Sequence, residues 1–88
     1  MSADRLELLT RRSCPLCETA RVHLLQIAST WGLEVAEFDI DDDPDLLGQF
    51  TDRVPVVLRR GEVMAEGRFS LAQLAAALRP PPPAASEP

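Results

Sequence analysis

Arg11-Arg12-Ser13-Cys14-Pro15-Leu16-Cys17-Glu18, RRSCPLCE, holds both cysteines of the 88-residue chain, two residues apart and just downstream of a pair of arginines. The residues before it, Arg5 to Thr10, form a short run with Leu6, Leu8 and Leu9 that reads as a strand. After it, Leu16, Cys17, Ala20, Leu24, Ile27, Ala28 and Trp31 recur on one face at the helical period, with Glu18, Arg21 and Gln26 off that face. The spacing predicts a helix from Pro15 to about Trp31. Pro15 suits the first helical position, where its missing N–H would have no partner anyway, and Gly32 ends the helix. Cys14 is therefore expected at the N-cap, and the motif marks a strand-to-helix junction.

Outward from this junction the pattern continues with Leu33 to Ile40, a strand-like run interrupted by acids. Asp43 ahead of Pro44 signals a short helix that must end before Thr51-Asp52. Val54 to Leu58, VPVVL, is the strongest strand by β-branched content, and Arg59-Arg60-Gly61-Glu62 makes a tight turn into Glu62 to Glu66, EVMAE. Gly67 breaks that strand. Ser70 can cap a last helix over Leu71 to Leu78, stopped by Arg79 and Pro80. Strands joined through a helix lie parallel by a right-handed crossover, and the hairpin extends the same sheet. The expected fold is α/β: a four-stranded mixed sheet with helices on its faces, in the order β-α-β, short α, β-β, α. One domain over 1–79 is expected, followed by a Pro-rich disordered tail at 80–88. No internal repeat points to a solenoid.

Composition narrows the function. With 45% hydrophobic and 26% charged residues the chain has the make-up of a globular domain. A net charge of -5 argues against nucleic acid and against anionic membranes as partners, since both need a cationic footprint. All nine cations are arginine, so no lysine is present for Schiff-base or general-base chemistry. The first ten residues carry Asp4, Arg5 and Glu7 where a secretory leader would be apolar, and no span is long enough to cross a membrane. A cytoplasmic location is expected, where thiols are kept reduced and closely spaced cysteines are redox-active or metal-binding.

A thiol attacks a disulfide as its thiolate, and a free cysteine of pKa about 8.5 is only a few per cent ionised at neutral pH. At an N-cap, Cys14 faces unpaired backbone N–H groups and the positive end of the helix dipole, and Arg11 and Arg12 add positive charge. Lowering the pKa to about 7 takes roughly 2 kcal/mol of thiolate stabilisation, within reach of these groups. Cys17, one turn on and on the apolar face, can resolve a mixed disulfide formed at Cys14. The expected division is an exposed nucleophile, Cys14, and a tucked resolving thiol, Cys17.

A metal site is the competing use. Zinc takes four ligands, whereas the chain offers two cysteines and one histidine. His23 is six residues past Cys17, roughly 9 Å along the helix axis, and reads as a surface residue. The acids Asp39, Asp41, Asp42, Asp43 and Asp45 lack the spacing of a calcium loop and read as a solvated turn and helix cap. An iron–sulfur cluster shared between two chains is the metal alternative that two cysteines permit.

The stretches LELLTRRSCPLCETA, FDIDDDPDLLGQF and RVPVVLRRGEVMAEGRFSLAQL together resemble the thioredoxin fold, and within it the short glutaredoxin-like branch, over about residues 4–79. The resemblance implies a cis peptide bond before Pro55, facing the cysteines, and a substrate groove made by Pro15, Leu16, Val54, Pro55, Gly67, Arg68 and Ser70. Two positions depart from glutaredoxins: Leu16 stands where they usually carry Tyr, and Arg68 follows Gly67 where they carry a second glycine. Arg11, Arg12, Arg68 and Ser70 offer alternative partners to the carboxylates of glutathione. The thioredoxin motif, with Trp before the first cysteine and Gly-Pro inside, is absent as well.

The leading expectation is thus a small thiol–disulfide oxidoreductase acting on a disulfide-containing protein or a glutathione mixed disulfide. No cofactor is held in the chain, and glutathione or a thioredoxin-reductase-type donor supplies electrons. The other class is a non-catalytic binding module, or a dimeric iron–sulfur carrier.

Overall fold

In the computed structural model, which describes residues 5–78, the first strand, β1, runs Arg5–Thr10 and the first helix, α1, Pro15–Trp31. The segments at 1–4 and 79–88, and with them the 80–88 tail and the domain limit at 79, lie outside the described residues. The remaining elements are β2 (Glu34–Asp39), a single 3-10 turn (Ile40–Asp42), α2 (Pro44–Phe50), β3 (Val56–Arg59), β4 (Glu62–Glu66) and α3 (Leu71–Leu78). The order is the one the sequence predicts.

The strands form one sheet in the order β2-β1-β3-β4. β1 pairs with β2 in parallel, Leu8 opposite Glu37, and with β3 antiparallel, Leu8 opposite Val57. β3 and β4 form the expected hairpin, with an irregularity between Val57 and Leu58. Its turn places Arg60 at φ 54 and Gly61 at φ 79, the pair of positive angles that a tight hairpin turn needs.

Because strand side chains alternate, the consecutive Leu8 and Leu9 of β1 enter opposite sides of the sheet. Leu6, Leu8 and Val57 meet Ala20, Leu24 and Ile27 of α1 and Leu74 and Leu78 of α3 in one core. On the other side Leu9, Val56 and Leu58 pack with Ile40 and Phe50, and Leu46, Leu47 and Val54 lie against them. The larger core seats α1, so the start of that helix is fixed by apolar contacts a turn or more below it.

A polar anchor joins the same helix to the edge strand. Arg21 donates from Nε to Glu37 Oε1 at 2.8 Å, reaches Glu37 Oε2 with a second nitrogen, and donates from Nη1 to Glu18 Oε1 at 2.6 Å. Thr10, the one buried polar residue among the described core positions, donates to Glu37 Oε2 at 3.3 Å. The Arg21 hydrogen bond holds the Glu37 carboxyl below its ordinary value, against the opposing effect of burial, and Glu37 in turn raises the Arg21 guanidinium.

Four strand ends differ from the sequence reading: β2 spans Glu34–Asp39 where Leu33 to Ile40 is expected, and β3 spans Val56–Arg59 where Val54 to Leu58 is expected. β2 stops at Asp39, not Ile40, because the Asp39 carboxylate accepts the Asp41 amide at 2.9 Å and starts the 3-10 turn. β3 begins at Val56, two residues later than expected, since Pro55 has no N–H for the ladder.

Leu24 is fully buried in the larger core. Leu24→Ala is expected to lower stability in urea by about 2–5 kcal/mol, and a loss below about 1 kcal/mol would contradict this packing. For Glu37 the folded pKa lies below its ordinary 4.5, so the ion pair stabilises fully above that value and its contribution fades as pH falls through the lowered one. The gap between wild type and Glu37→Gln is therefore expected to be largest near neutral pH and to close in acid. It should stay within about 1 kcal/mol, because both partners keep part of their surface in water. A gap that is constant from neutral pH to about pH 2 would show that the carboxylate's charge plays no part.

Candidate functional site

β1 ends at Thr10, and Arg11–Ser13 turn the chain into α1. Ser13 makes the turn at φ 55, in the left-handed region that non-glycine residues rarely occupy. Cys14 follows in extended conformation as the N-cap of α1, with Pro15 at the start of the helix, as the sequence predicts. The Cys14 sulfur accepts the Cys17 amide at 3.2 Å, and its carbonyl accepts the amides of Cys17 at 3.0 Å and Glu18 at 3.2 Å. The two cysteines are joined as a disulfide with Cα atoms 5.1 Å apart. Cys17 is 1% exposed. Cys14 is partly buried, where the sequence reading has it exposed, because its sulfur is bonded to one that faces the core.

A cysteine pair at disulfide distance in the first turn of a helix suits redox-type chemistry. With the bond reduced, a Cys14 thiolate would keep the Cys17 amide and the helix dipole as its stabilising partners. The second sulfur stays one turn away, against the core.

Arg11 and Arg12 sit on one flank, and both face the acidic segment. Arg11 reaches Asp41 through Nη2 at 3.0 Å and Nε at 3.4 Å, and Arg12 Nε lies 3.4 Å from Asp39. Their charge near the cysteines is thus offset by two carboxylates. With Ser13, Glu18, Arg21 and Glu37 they line a polar cleft of about 480 Å³. The acids read as turn and cap do cap, Asp39 for the 3-10 turn and Asp43 for α2, and Asp39 and Asp41 also bind the arginines.

The opposite flank gathers most of the remaining expected residues. The Val54–Pro55 bond is cis, as the resemblance implies, and the Pro55 carbonyl accepts the Gly67 amide at 2.8 Å. Gly67 has φ 70, and a Cβ there would meet open space, so the backbone angle and not crowding calls for glycine. Leu16, Gly67 and Arg68 line a smaller cleft of about 100 Å³ with Thr19, Ala20 and Phe69. Ser70 is the cap of α3. Its Oγ accepts the Gln73 amide at 3.0 Å, and its own amide donates to Gln73 Oε1 at 2.8 Å, a reciprocal capping box.

Arg53 has no signature in the sequence. It donates to Glu66 at 2.6 Å and lies 4.8 Å over the Phe50 ring, tying the segment before Pro55 to β4 and α2. Arg21 and Glu37 were equally silent as a pair, although Glu18 and Arg21 stand at the i, i+3 spacing that couples helix side chains. His23 is partly buried on α1. Among the described residues no three His, Cys, Asp or Glu are grouped to hold a metal ion, and no helix is long and apolar enough to cross a membrane.

Comparison with known proteins agrees with this geometry. An uncharacterized protein of Mycobacterium tuberculosis is 36% identical over 66 residues, covering 69% of this chain and 68% of its own length, and one of Mycobacterium bovis matches equally. A solved structure from X. campestris superposes with a TM-score of 0.69 at 30% identity, over 81% of this chain and 91% of that one. Thioredoxin 1 of Thermosipho africanus superposes with a TM-score of 0.63 at 18% identity, over 83% of this chain and 88% of its own. The fold is thioredoxin-like. The model of the glutaredoxin-like domain (DUF836) matches residues 5–79, and the chain belongs to that family.

Proposed function

We propose that the protein is a thiol–disulfide oxidoreductase whose working pair is Cys14 and Cys17. The observation that carries this reading is the Cys14–Cys17 disulfide itself, set at a helix N-terminus with the outer sulfur on a backbone amide and the inner one buried. A binding module has no need of a second sulfur at bonding distance.

In the reducing direction the Cys14 thiolate attacks one sulfur of a substrate disulfide, forming a mixed disulfide and releasing the other sulfur as a thiol once protonated. Cys17 then loses its proton and attacks the Cys14 sulfur. The internal bond closes, the second substrate thiol leaves, and two electrons have passed from protein to substrate. Glutathione or a thioredoxin-reductase-type partner restores the dithiol by the same exchange in reverse. A disulfide protein or a glutathione mixed disulfide is the substrate class. A cytoplasmic location goes with this reading, because recycling needs a thiol reductant.

The roles separate in single variants. Cys14→Ser is expected to lower reduction of a small disulfide such as hydroxyethyl disulfide by at least about a hundredfold, since the remaining thiol, Cys17, is 1% exposed. Cys17→Ser should accumulate a mixed disulfide at Cys14 that mass spectrometry detects. Wild-type turnover by Cys14→Ser would sink the assignment.

A further inference from the structure

A groove runs between the last turns of α1 and the first turns of α3. Gln26, Ile27, Thr30 and Trp31 form one side and Leu71 and Ala75 the other, around a cavity of about 190 Å³. Its surface is mainly apolar: Ile27 belongs to the larger core, and Trp31, Leu71 and Ala75 pack against that core with part of their surface still open. Trp31 stands 14 residues past Cys17, roughly 21 Å along the helix axis. The thiol chemistry makes no use of this groove.

Where the chain leaves α3 decides what can cover it. Leu78 is buried, and its carbonyl accepts Arg59 Nη1 at 3.1 Å, so residue 79 starts from an anchored point. Ala75 lies about one turn back from that point and Leu71 about two, roughly 5 and 10 Å along the α3 axis. Residues 79–88, RPPPPAASEP, follow in the sequence. Arg79 precedes a proline, which disfavours the helical region and turns the chain off the axis. Pro80 to Pro83 favour a polyproline II helix of about 3.1 Å per residue, so the four cover about 12 Å. That is enough to pass Ala75 and reach Leu71.

The segment has no core of its own, but four consecutive prolines are stiff before they bind, so laying them down costs little entropy. Polyproline segments dock in aromatic-lined grooves. Trp31 supplies the ring, and the exposed Gln26 amide can donate to proline carbonyls, which have no partners within such a helix. A second copy is the poorer occupant. Six lining residues fall well short of the roughly 20–30 per side of a stable interface, whereas a tethered segment at millimolar effective concentration docks through a small contact.

We propose that the groove between α1 and α3 is covered by this chain's own Pro80–Pro83 segment, which folds back along α3 and straps its end to the end of α1. The proposal does not rest on the oxidoreductase reading.

Trp31 is the only tryptophan, and the chain has no tyrosine, so tryptophan fluorescence reports this groove alone. The full chain is compared with the double variant Pro81→Gly, Pro82→Gly, in which the two glycines lower the docked-to-open ratio by about tenfold. Trp31 emission should shift to the red and acrylamide should quench it more strongly. The synthetic peptide RPPPPAASEP, added at millimolar concentration, should reverse both changes, and that reversal separates an opened groove from a loosened fold. In Ala75→Gln, which narrows the groove and leaves the tail intact, the same red shift is expected and the peptide should reverse nothing. Salt should have little effect, since no charged residue lines the groove. Trp31 signals that are the same in wild type and in the glycine variant would overturn the proposal, as would a red shift that the peptide leaves in place. Shielding that falls away when wild type is diluted would overturn it too, by marking a second copy as the occupant.

Discussion

The amide of Cys17 donates to the sulfur of Cys14 at the first turn of α1, and this contact makes the reactive atom part of the secondary structure. A helix start leaves backbone N–H groups without intrahelical partners, and here the Cys17 N–H is shared between the sulfur and the carbonyl oxygen of Cys14. The same bond sets the spacing of the pair: a cap and the residue three positions on lie one turn apart, with Cα atoms at 5.1 Å. The chemistry assigned to the site depends on the helix beginning at Pro15 and nowhere else. A start one residue later would make Pro15 the cap and take the Cys14 sulfur out of the N-cap position.

Everything packed below α1 serves to hold that start. Leu24 and Ile27 lie on Leu6, Leu8 and Val57 of the central strands, and the Arg21–Glu37 pair fastens the second turn to β2. The flanks then differ in character. On the Arg11–Arg12 side positive and negative groups pair within the chain, while on the other side Arg68 is exposed beside a small cleft of mixed lining. A partner approaching the disulfide therefore meets a different surface on each hand. Proteins that share a fold differ in what they accept through such local features.

The strands and helices were legible wherever one local signal was strong. Leucine spacing in β1, the helical period and Pro15 in α1, the β-branched run of β3 and the Arg60-Gly61 turn all acted over a few residues, and the structure follows them. Less legible were contacts between segments far apart in the chain. Arg11 and Asp41 are separated by 30 positions, Arg21 and Glu37 by 16, and Arg53 and Glu66 by 13. Nothing in a periodic pattern says that an arginine pair beside a thiol will turn toward an acidic turn on the next strand. The Leu16–Arg68 cleft was half visible: the residues were named from a family resemblance, but their assembly depends on the Gly67–Pro55 hydrogen bond, which only the folded chain displays. The end of β2 and the start of β3 have equally local causes, an Asp that caps and a Pro that cannot donate, and both were present to be read.

The central claim is that the Cys14–Cys17 bond is a working redox couple and not a staple, and its equilibrium with glutathione buffers tests this most directly. The account predicts a reversible two-electron couple with a reduction potential between about -300 and -120 mV, the span of thioredoxin-fold catalysts and their relatives. A potential below about -300 mV, where structural disulfides lie, would contradict it, as would a pair that does not re-form after reduction.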